Sequence, residues 1–389
     1  MCTLEQSYKH LSANPLHWKL LYHLTNTRPY EILADFYTMK KCFGKIKKMV
    51  EDVDADIVVS VHPTMNYLPE KVVRQISKEK GKKIPFFTVV TDFGSGHCTW
   101  FQPNVDKMYI ASERIKKLAK KRGWIKDHKV VMTGLPIRED FAIQAEKMGG
   151  RTSENGKLYR SEMKEKLGLK KEQKMVLVMG GGEGVGSLAK ITRKIYLELR
   201  AKGVDATICV VCGRNEKLKH DLETMDWDAV VQYDNAKRKR KEQKKRLALF
   251  KPKKIAESPS NQREGKIDVI GLGFVSNMAE YMVAADVLVS KAGPGTIAES
   301  AAVGLPVMIT SFLPGQEAGN VDIVLDGGFG AFQQKPRKCA ETLASWLTDE
   351  RLLDDMAEKS ALVGHPHAAA DIVKDIGKTT EEYLRDQNI

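Results

Sequence analysis

Apolar residues in this chain fall into short, continuous runs rich in valine and isoleucine, separated by longer segments with helical spacing. Uninterrupted apolar runs predict strands that are buried on both faces, and the intervening helices predict that these strands run parallel. The pattern occurs in two series along the chain. We therefore expect an α/β protein with two doubly wound, Rossmann-like sheets, with strands at 55–61, 86–91, 108–112 and 130–133 and then at 175–179, 205–212, 269–273, 285–290 and 306–310.

The same pattern divides the chain into two domains with a connection between them. Residues 145–160 are polar and contain glycine, which is typical of a linker. We expect a first domain at 1–144, a second at 161–355 and closing helices at 356–389. Residues 1–50 are predicted to be mostly helical, and we expect them to pack as ordinary helices rather than lie at a membrane interface.

The stretch after the fourth strand of the second series has the features of an anion-binding turn. Gly293, Pro294 and Gly295 follow that strand, and a helix is predicted to begin at Thr296. Glycines have no Cβ, so a phosphate can approach the backbone, where free N–H groups and the helix dipole hold it. A second interpretation needs no ligand, because Thr296 and Glu299 have the spacing of a capping box. The pattern alone leaves both interpretations open.

Two further candidates for anion binding follow other strands of the second series. The sequence GGGEG, at 180–184, follows the first of these strands, and successive glycines form a backbone nest for an anion. Arg214 follows the next strand. It either pairs with a phosphate or is simply an exposed arginine at a strand end.

Polar and aromatic residues follow the strands of the first series. His62, Asp92 and His97 lie at the carboxyl ends of predicted strands, the edge at which open α/β sheets bind ligands. A lone histidine is nevertheless more often a hydrogen-bonded structural residue than a ligand contact. Trp100 and Phe101 either belong to the core or present an apolar surface to acyl chains.

Charge and composition indicate which classes of partner to expect. The net charge of +13 attracts polyanions, and because the sequence has no nucleic-acid-binding motif we expect an anionic membrane surface rather than nucleic acid. The densest basic run, at 237–254, is predicted to be disordered; lipid binding, a nucleic-acid or nuclear-localisation patch, and a solvated loop all remain open. No apolar run approaches the ~20 residues of a membrane span, and the first residues resemble neither a signal nor a transit peptide. No spacing of metal ligands is apparent, so neither a metal nor a cofactor is expected.

Several of these motifs together resemble one family. The segments KAGPGTIAE and PGQEAGN are similar to the donor-binding segment of monogalactosyldiacylglycerol synthases, and GGGEG, TVVTDFGSGHCTWF and GLPIR resemble other segments of the same enzymes. These are plastid-envelope enzymes related to the bacterial glycosyltransferase that makes lipid II. The resemblance implies a GT-B fold, a last helix that returns to the first domain, peripheral attachment to the chloroplast envelope, and inverting transfer of galactose from UDP-galactose to diacylglycerol.

The resemblance also implies roles for individual residues. The pyrophosphate of UDP would lie along the glycine turn and its helix, the ribose on Glu299, and the hexose near Gln316 and Glu317, while the backbone of Phe274 and Val275 would recognise uracil. The residues implied or proposed to bind the donor are Gly181, Gly182, Glu183, Arg214, Phe274, Val275, Met278, Gly293, Pro294, Gly295, Thr296, Glu299, Gln316, Glu317 and Asn320. The candidates for the acceptor or the membrane are His62, Asp92, His97, Trp100 and Phe101.

The sequence departs from the family pattern in two places. The D-T-G-G-G-H loop whose histidine is the family's proposed general base does not occur in these 389 residues. The resemblance implies that this loop and the strand before it belong upstream of Met1, so we expect UDP binding without turnover and leave His97 as a weak substitute. Residues 234–266 are an insertion relative to the family. Two alternatives remain: a related lipid glycosyltransferase with another acceptor, and a catalytically silent protein that binds a nucleotide sugar or lipid.

Overall fold

The computed structural model describes residues 14–180, 188–249 and 263–386, and within them the strands form two parallel sheets. The first sheet contains β1 (Val58–Ser60), β2 (Phe86–Val89), β3 (Lys107–Ile110) and β4 (Val130–Met132), in that order. The strands of the second sheet are β5 (Lys174–Met179), β6 (Ala206–Val211), β7 (Ile267–Leu272), β8 (Val287–Lys291), β9 (Val307–Ser311) and β10 (Gly330–Phe332). Their order across the sheet is β10-β9-β8-β5-β6-β7. The prediction of two parallel, Rossmann-like α/β sheets is confirmed, and the second sheet reverses its strand order at β5 and β8.

Helices connect the strands, because parallel neighbours need a crossover that returns the chain to the starting edge. In the first half these are α1 (Pro15–Thr25), α2 (Arg28–Val53), α3 (Tyr67–Lys80), α4 (Glu113–Gly123), α5 (Glu139–Met148) and α6 (Glu154–Lys166). In the second half they are α7 (Leu188–Ala201), α8 (Glu216–Glu223), α9 (Trp227–Leu249), α10 (Met278–Ala284), α11 (Pro294–Ala302), α12 (Ala318–Asp326), α13 (Pro336–Leu347), α14 (Glu350–Val363) and α15 (Ala368–Asp386).

The central strand of the second sheet shows why continuous apolar runs form it. Met175 and Leu177 of β5 belong to a buried cluster on one face, and Val176 and Val178 belong to the cluster on the other. All four are at most 1% exposed. Successive side chains of a strand point to opposite faces, so a strand covered on both sides needs apolar residues at every position.

The chain passes between the two sheets at two adjacent points. After β4 it crosses at Gly134, whose φ of +85° favours glycine, and where a Cβ would lie 2.3 Å from Cβ of His365. His365 belongs to the return crossing, which leads into α15. There Ile372 and Ile376 pack against the first sheet, and Lys107 donates a hydrogen bond to Asp375 at 2.9 Å. The last helix therefore closes the molecule by covering the sheet with which the chain began.

Three expectations about local structure need correction. Residues 145–160 are not an extended linker, because they contain the end of α5 and the start of α6. Residues 237–249 of the basic run are helical, as the second half of α9; residues 250–262 lie outside the described residues. Lysine, arginine, glutamine and alanine favour helix. The first half of α9 is also anchored, because Trp227 stacks on Tyr196 with ring centroids 4.5 Å apart.

The third correction concerns the N-terminal helices, which form but are packed only in part. Phe43, Ile46 and Val50 of α2 pack against the core of the first domain, as expected of an ordinary helix. Nine of their large apolar side chains are more than half exposed: Leu16, Leu20, Leu24, Ile32, Leu33, Phe36, Tyr37, Met49 and Val53. Tyr22 is the contrasting case at 8% exposed. In the described ranges no helix is both long enough and apolar enough to cross a bilayer.

Candidate functional site

The N-terminus of α11 has backbone donors that no side chain caps, beside open space at Gly295. Gly293 is the N-cap residue and Pro294 follows in the first turn, so the helix begins before Thr296 and no side chain caps it. The capping-box interpretation of Thr296 and Glu299 is therefore wrong. A Cβ at Gly295 would meet nothing within 4 Å. Because the first turn of a helix has free N–H groups and a positive dipole end, this turn is suited to an anion.

A cation lies next to this turn that sequence reasoning did not single out. Lys291 ends β8, and its Nζ lies 3.4 Å from where a Cβ of Gly293 would be. Its ammonium pairs with the carboxylate of Glu317, which is 5% exposed and also accepts a hydrogen bond from the Leu313 N–H at 2.8 Å. Lys291 thus places a positive charge at the glycine turn. The signal was present in the quoted motif, since the lysine stands two positions before its first glycine.

The loop between β9 and α12 holds an acceptor without a partner. Oε1 of Gln316 is buried and has no hydrogen-bond partner among the described residues. A buried polar atom that lacks a partner costs free energy unless a ligand or water satisfies it. Gln316 thus has an unused acceptor where the resemblance places the hexose.

Asn320 instead has both side-chain polar atoms occupied by protein groups. Its Nδ2 donates to the Ala292 carbonyl at 2.9 Å, and its Oδ1 accepts from the Gly94 N–H at 2.7 Å. Next to it, the Gly319 N–H donates to Oγ of Ser95 at 2.9 Å. Asn320 therefore joins the glycine turn to the loop that follows β2 of the first sheet.

Glu299 is bound by an arginine from the crossing between the sheets. Nε and Nη2 of Arg138 donate to Oε1 and Oε2 of Glu299 at 2.8 and 3.1 Å. The pair is bidentate, a geometry that fixes the plane of a carboxylate as well as its charge. Sequence reasoning noted the GLPIR motif but gave Arg138 no role.

The remaining donor candidates follow β6 and β7 at the same edge of the sheet. Arg214 is exposed, Phe274 is 79% exposed, Val275 is half-buried and Met278 is 5% exposed. Gly181, Gly182 and Glu183 lie outside the described residues. Because the carboxyl ends of parallel strands meet at one edge, β6 to β9 bring the described candidates to one side of the second sheet.

The position of the family's general base is not tested by the structure. The resemblance places the D-T-G-G-G-H loop and its histidine upstream of Met1. The described residues begin at residue 14. The expectation of UDP binding without turnover therefore stays a prediction. Among the described residues of the first domain, the candidates for proton removal are His62, Asp92 and His97.

The two histidines of the first domain are held in similar turns. Nδ1 of His62 lies 2.9 Å from Oγ1 of Thr64, and Nδ1 of His97 lies 2.8 Å from Oγ1 of Thr99. His62 is exposed. Burial, together with the positive charge of Arg122, lowers the pKa of His97 to about 4. His97 is thus neutral near pH 7 but a weak base.

Of the two alternatives left open for Trp100 and Phe101, the structure supports the core. Trp100 is 1% and Phe101 is 2% exposed, and both belong to the core of the first domain, so neither offers a surface to acyl chains. Nε1 of Trp100 donates to Asp92 at 2.8 Å. Burial raises the pKa of Asp92 to about 6, and the Trp100 hydrogen bond opposes that rise.

Tyr22 of α1 lies between the His97 loop of the first domain and the Gly315 loop of the second domain. Its ring lies edge-on to His97 with centroids 5.6 Å apart. On the other side, a Cβ at Gly315 would lie 2.4 Å from Cδ1 of Tyr22, and Gly315 has a φ of +86°. Burial and the nearby Asp92 raise the pKa of Tyr22, so its hydroxyl stays neutral. Helix α1 therefore lies where the two halves of the site meet.

Two Rossmann-like parallel sheets, joined by a double crossing and carrying the candidate residues on the loops after their strands, define the GT-B fold. Residues 2–137 match the family described as monogalactosyldiacylglycerol (MGDG) synthase, and residues 228–322 match the glycosyltransferase family 28 C-terminal domain. The chain belongs to the MGDG synthase family.

Several of its relatives are plant proteins. Monogalactosyldiacylglycerol synthase 2, chloroplastic, of Arabidopsis thaliana is 30% identical over 97% of this chain and 70% of its own length. Probable monogalactosyldiacylglycerol synthase 3, chloroplastic, of Oryza sativa subsp. japonica is 31% identical over 97% of this chain and 65% of its own length. The chain thus spans about two thirds of the length of these relatives.

Solved structures show the same fold at low identity. MurG of Acinetobacter baumannii superposes with a TM-score of 0.53 at 15% identity, covering 88% of this chain and 79% of that one. A UDP-GlcNAc 2-epimerase from Neisseria meningitidis, bound to UDP-GlcNAc, gives a TM-score of 0.50 at 14% identity, with 86% of this chain and 80% of that one covered. At such identities the likeness concerns the fold alone.

Proposed function

We propose that this protein transfers galactose from UDP-galactose to the sn-3 hydroxyl of diacylglycerol with inversion at the anomeric carbon. Membership of the MGDG synthase family and the names of its relatives support the reaction. The observation that carries the donor assignment is the uncapped N-terminus of α11, which begins at a glycine turn beside Lys291.

The donor's diphosphate would bind at that turn. The N–H groups of Gly295 and Thr296 and the positive end of the helix dipole would meet the phosphate oxygens. Lys291 would add a full charge. These groups matter most as the bond to galactose breaks, because the departing UDP gains negative charge that fixed donors stabilise. Arg214 is an exposed cation at the same edge.

The sugar would lie against the loop that contains Gln316. Its unpartnered Oε1 is an acceptor for a hexose hydroxyl. Glu317, by contrast, is engaged with Lys291 and the Leu313 N–H. Glu317 would hold Lys291 in place. It could contact the sugar only through the lone pairs of its carboxylate that remain free.

The acceptor side is supported by the exposed apolar surface of α1 and α2. Side chains such as Leu20, Leu24 and Phe36 are more than half exposed, which is unusual for a surface in contact only with water. An acceptor with two acyl chains, held in a membrane surface, would cover such a surface.

The acceptor hydroxyl must also lose a proton, and a base whose pKa is near the working pH removes it most effectively. The pKa of Asp92, about 6, is closer to that pH than the pKa of His97, about 4.

The experiment uses these 389 residues with UDP-galactose and diacylglycerol vesicles. Calorimetric titration measures UDP binding, and lipid analysis measures galactolipid. Binding with galactolipid formation supports the whole proposal and contradicts the expectation of no turnover drawn from the missing D-T-G-G-G-H loop. Binding without release of UDP on any lipid acceptor supports the silent binder. Absence of UDP binding refutes the donor site.

We also propose that the basic half of α9 binds anionic lipid. Lys237 and Lys239 are exposed, and each basic residue near an anionic surface contributes about 1 kcal/mol. Changing both to glutamine, which preserves helix propensity, is expected to weaken binding to phosphatidylserine-containing vesicles by roughly 10- to 30-fold at low salt. Vesicle co-sedimentation measures this.

The matched control changes Lys202 and Lys217, two exposed lysines elsewhere in the second domain, to glutamine. The control is expected to bind almost as well as the unchanged protein. An equal loss in both variants would mean that only the net charge matters and would contradict a role for α9. Neutral vesicles should show no difference.

A further inference from the structure

Arg138 lies where the chain leaves the first sheet and enters the second domain, directly before α5. Its guanidinium is held from two sides. Two parallel hydrogen bonds join it to the carboxylate of Glu299, 161 residues away in sequence, and its Cζ lies 5.0 Å from the ring centroid of Phe141, which is fully buried. Stacking on an aromatic ring and a bidentate fork are both geometries that arginine forms and lysine does not.

Stability alone does not account for this arrangement. The side chain of Arg138 is 49% exposed, and ion pairs in contact with solvent contribute little to folding. The clear consequence of the fork is orientation. A glutamate has three rotatable side-chain bonds, and a ligand that binds a free glutamate must restrict them. In this protein the carboxylate of Glu299, whose side chain is 14% exposed, is already restricted by Arg138.

We propose that Arg138 is a positioning residue for the ribose of the donor. A carboxylate has about four lone-pair positions, and the fork uses two of them, so two remain for the neighbouring hydroxyls of a ribose. Arg138 fixes the plane in which those two positions point. This inference rests on the proposed function, which places the ribose on Glu299.

The same geometry gives the donor site a connection to the crossing between the sheets. Arg138 follows Gly134 by four residues, and Gly134 lies against His365 of the return crossing. Residues of the chain crossing therefore contact the second domain's ligand-binding helix directly. The ribose site is in this way built from both halves of the chain, although Glu299 itself belongs to the second domain.

The test measures UDP affinity by calorimetry for the unchanged protein and for Arg138→Ala, Arg138→Lys, Glu299→Ala and the double alanine variant. Arg138→Ala is expected to weaken UDP binding by roughly 3- to 10-fold, the size of one lost preorganised side chain. Arg138→Lys should recover only part of the loss, because an ammonium cannot form the fork. The double variant should bind no more weakly than Glu299→Ala, since Arg138 acts through Glu299.

Two controls separate positioning from a general structural effect. With 2′-deoxy-UDP, which lacks one of the hydroxyls, Arg138→Ala should cause a smaller loss than with UDP. Arg337→Ala removes a comparable arginine from a pair with Glu341 on α13 and should leave UDP affinity unchanged. Thermal melts confirm that each variant is folded.

The outcomes distinguish this inference from the function on which it rests. If Glu299→Ala weakens UDP binding but Arg138→Ala does not, the donor site stands and the positioning role is refuted. Equal losses for UDP and 2′-deoxy-UDP, or additive losses in the double variant, would mean that Arg138 does not act through the ribose contact, and would also refute it. If the unchanged protein does not bind UDP, the proposed function itself fails.

Discussion

Replacing Asp286 with alanine is expected to lower the free energy of unfolding by roughly 3–5 kcal/mol, because it leaves the charges of two largely buried cations without a carboxylate to neutralise them. Asp286 is 8% exposed. Its carboxylate accepts hydrogen bonds from Arg160 at 2.6 Å, from Lys164 at 3.1 Å and from the Met175 N–H at 2.6 Å. It thereby joins α6 to the first and fourth strands of the second domain in chain order. Urea unfolding followed by circular dichroism measures the change.

A matched control is Asp56→Ala. Asp56 also forms an ion pair, with Lys82, but its side chain is 62% exposed. An exposed pair contributes at most about 1 kcal/mol, so the control should unfold at nearly the same urea concentration as the unchanged protein. Similar losses in both variants would contradict the argument from burial.

The pH dependence follows from the same carboxylate. Burial raises the pKa of Asp286, but the charges of Arg160 and Lys164 outweigh burial and hold the pKa well below its usual range. A group whose pKa is depressed by folding contributes stability above its unfolded pKa, about 3.9, and loses it as the pH falls towards the folded value. We therefore expect the advantage of the unchanged protein over Asp286→Ala to shrink below about pH 4. Parallel stability curves for the two proteins from neutral pH into this acidic range would contradict this.

Replacing Glu299 with alanine is expected to weaken UDP binding by roughly 10- to 100-fold, corresponding to about 1.5–3 kcal/mol for a hydrogen bond to a charged group. Glu299→Gln keeps one acceptor and should lose less. Because Gly293, not Thr296, is the N-cap residue of α11, neither variant removes a helix cap. The thermal midpoint should therefore change little while the affinity falls. Calorimetric titration of UDP beside a thermal melt measures both.

The control for this prediction is Glu341→Ala, which removes a half-buried glutamate paired with Arg337 and Lys338 outside the site. It should not alter UDP affinity. An unchanged affinity in Glu299→Ala would remove the ribose assignment. A large fall in the melting temperature together with affinity would instead mean that Glu299 is needed for the fold.

Several features of the fold could be predicted from the sequence because they depend on local pattern. The apolar runs at 175–179 and 285–290 correspond closely to β5 and β8, since a strand covered on both faces must be apolar at every position. The glycine turn at 293–295 was likewise predicted. Proline restricts the backbone at its own position and glycine makes it more flexible, so the effect can be predicted from the local sequence. The family resemblance rested on these same local motifs.

Other local predictions failed where a neighbouring element competed with the pattern. The basic run was expected to be disordered, yet its helix-forming residues continue a helix that Trp227 anchors against α7. Trp100 and Phe101 were ambiguous between core and surface. Their positions in a loop gave no periodicity to decide the question, and only packing against the first sheet buries them.

The sequence by itself thus determined the alternation of strands and helices, the position of the glycine turn and the family. The tertiary structure decided which side chains meet there. Arg138 reaches Glu299 across 161 positions, and Lys291 reaches Glu317 across 26. Such pairs leave no mark on local periodicity, because they depend on how the sheets and crossings place distant segments side by side. For the same reason the local pattern does not mark Oε1 of Gln316, which has no hydrogen-bond partner among the described residues.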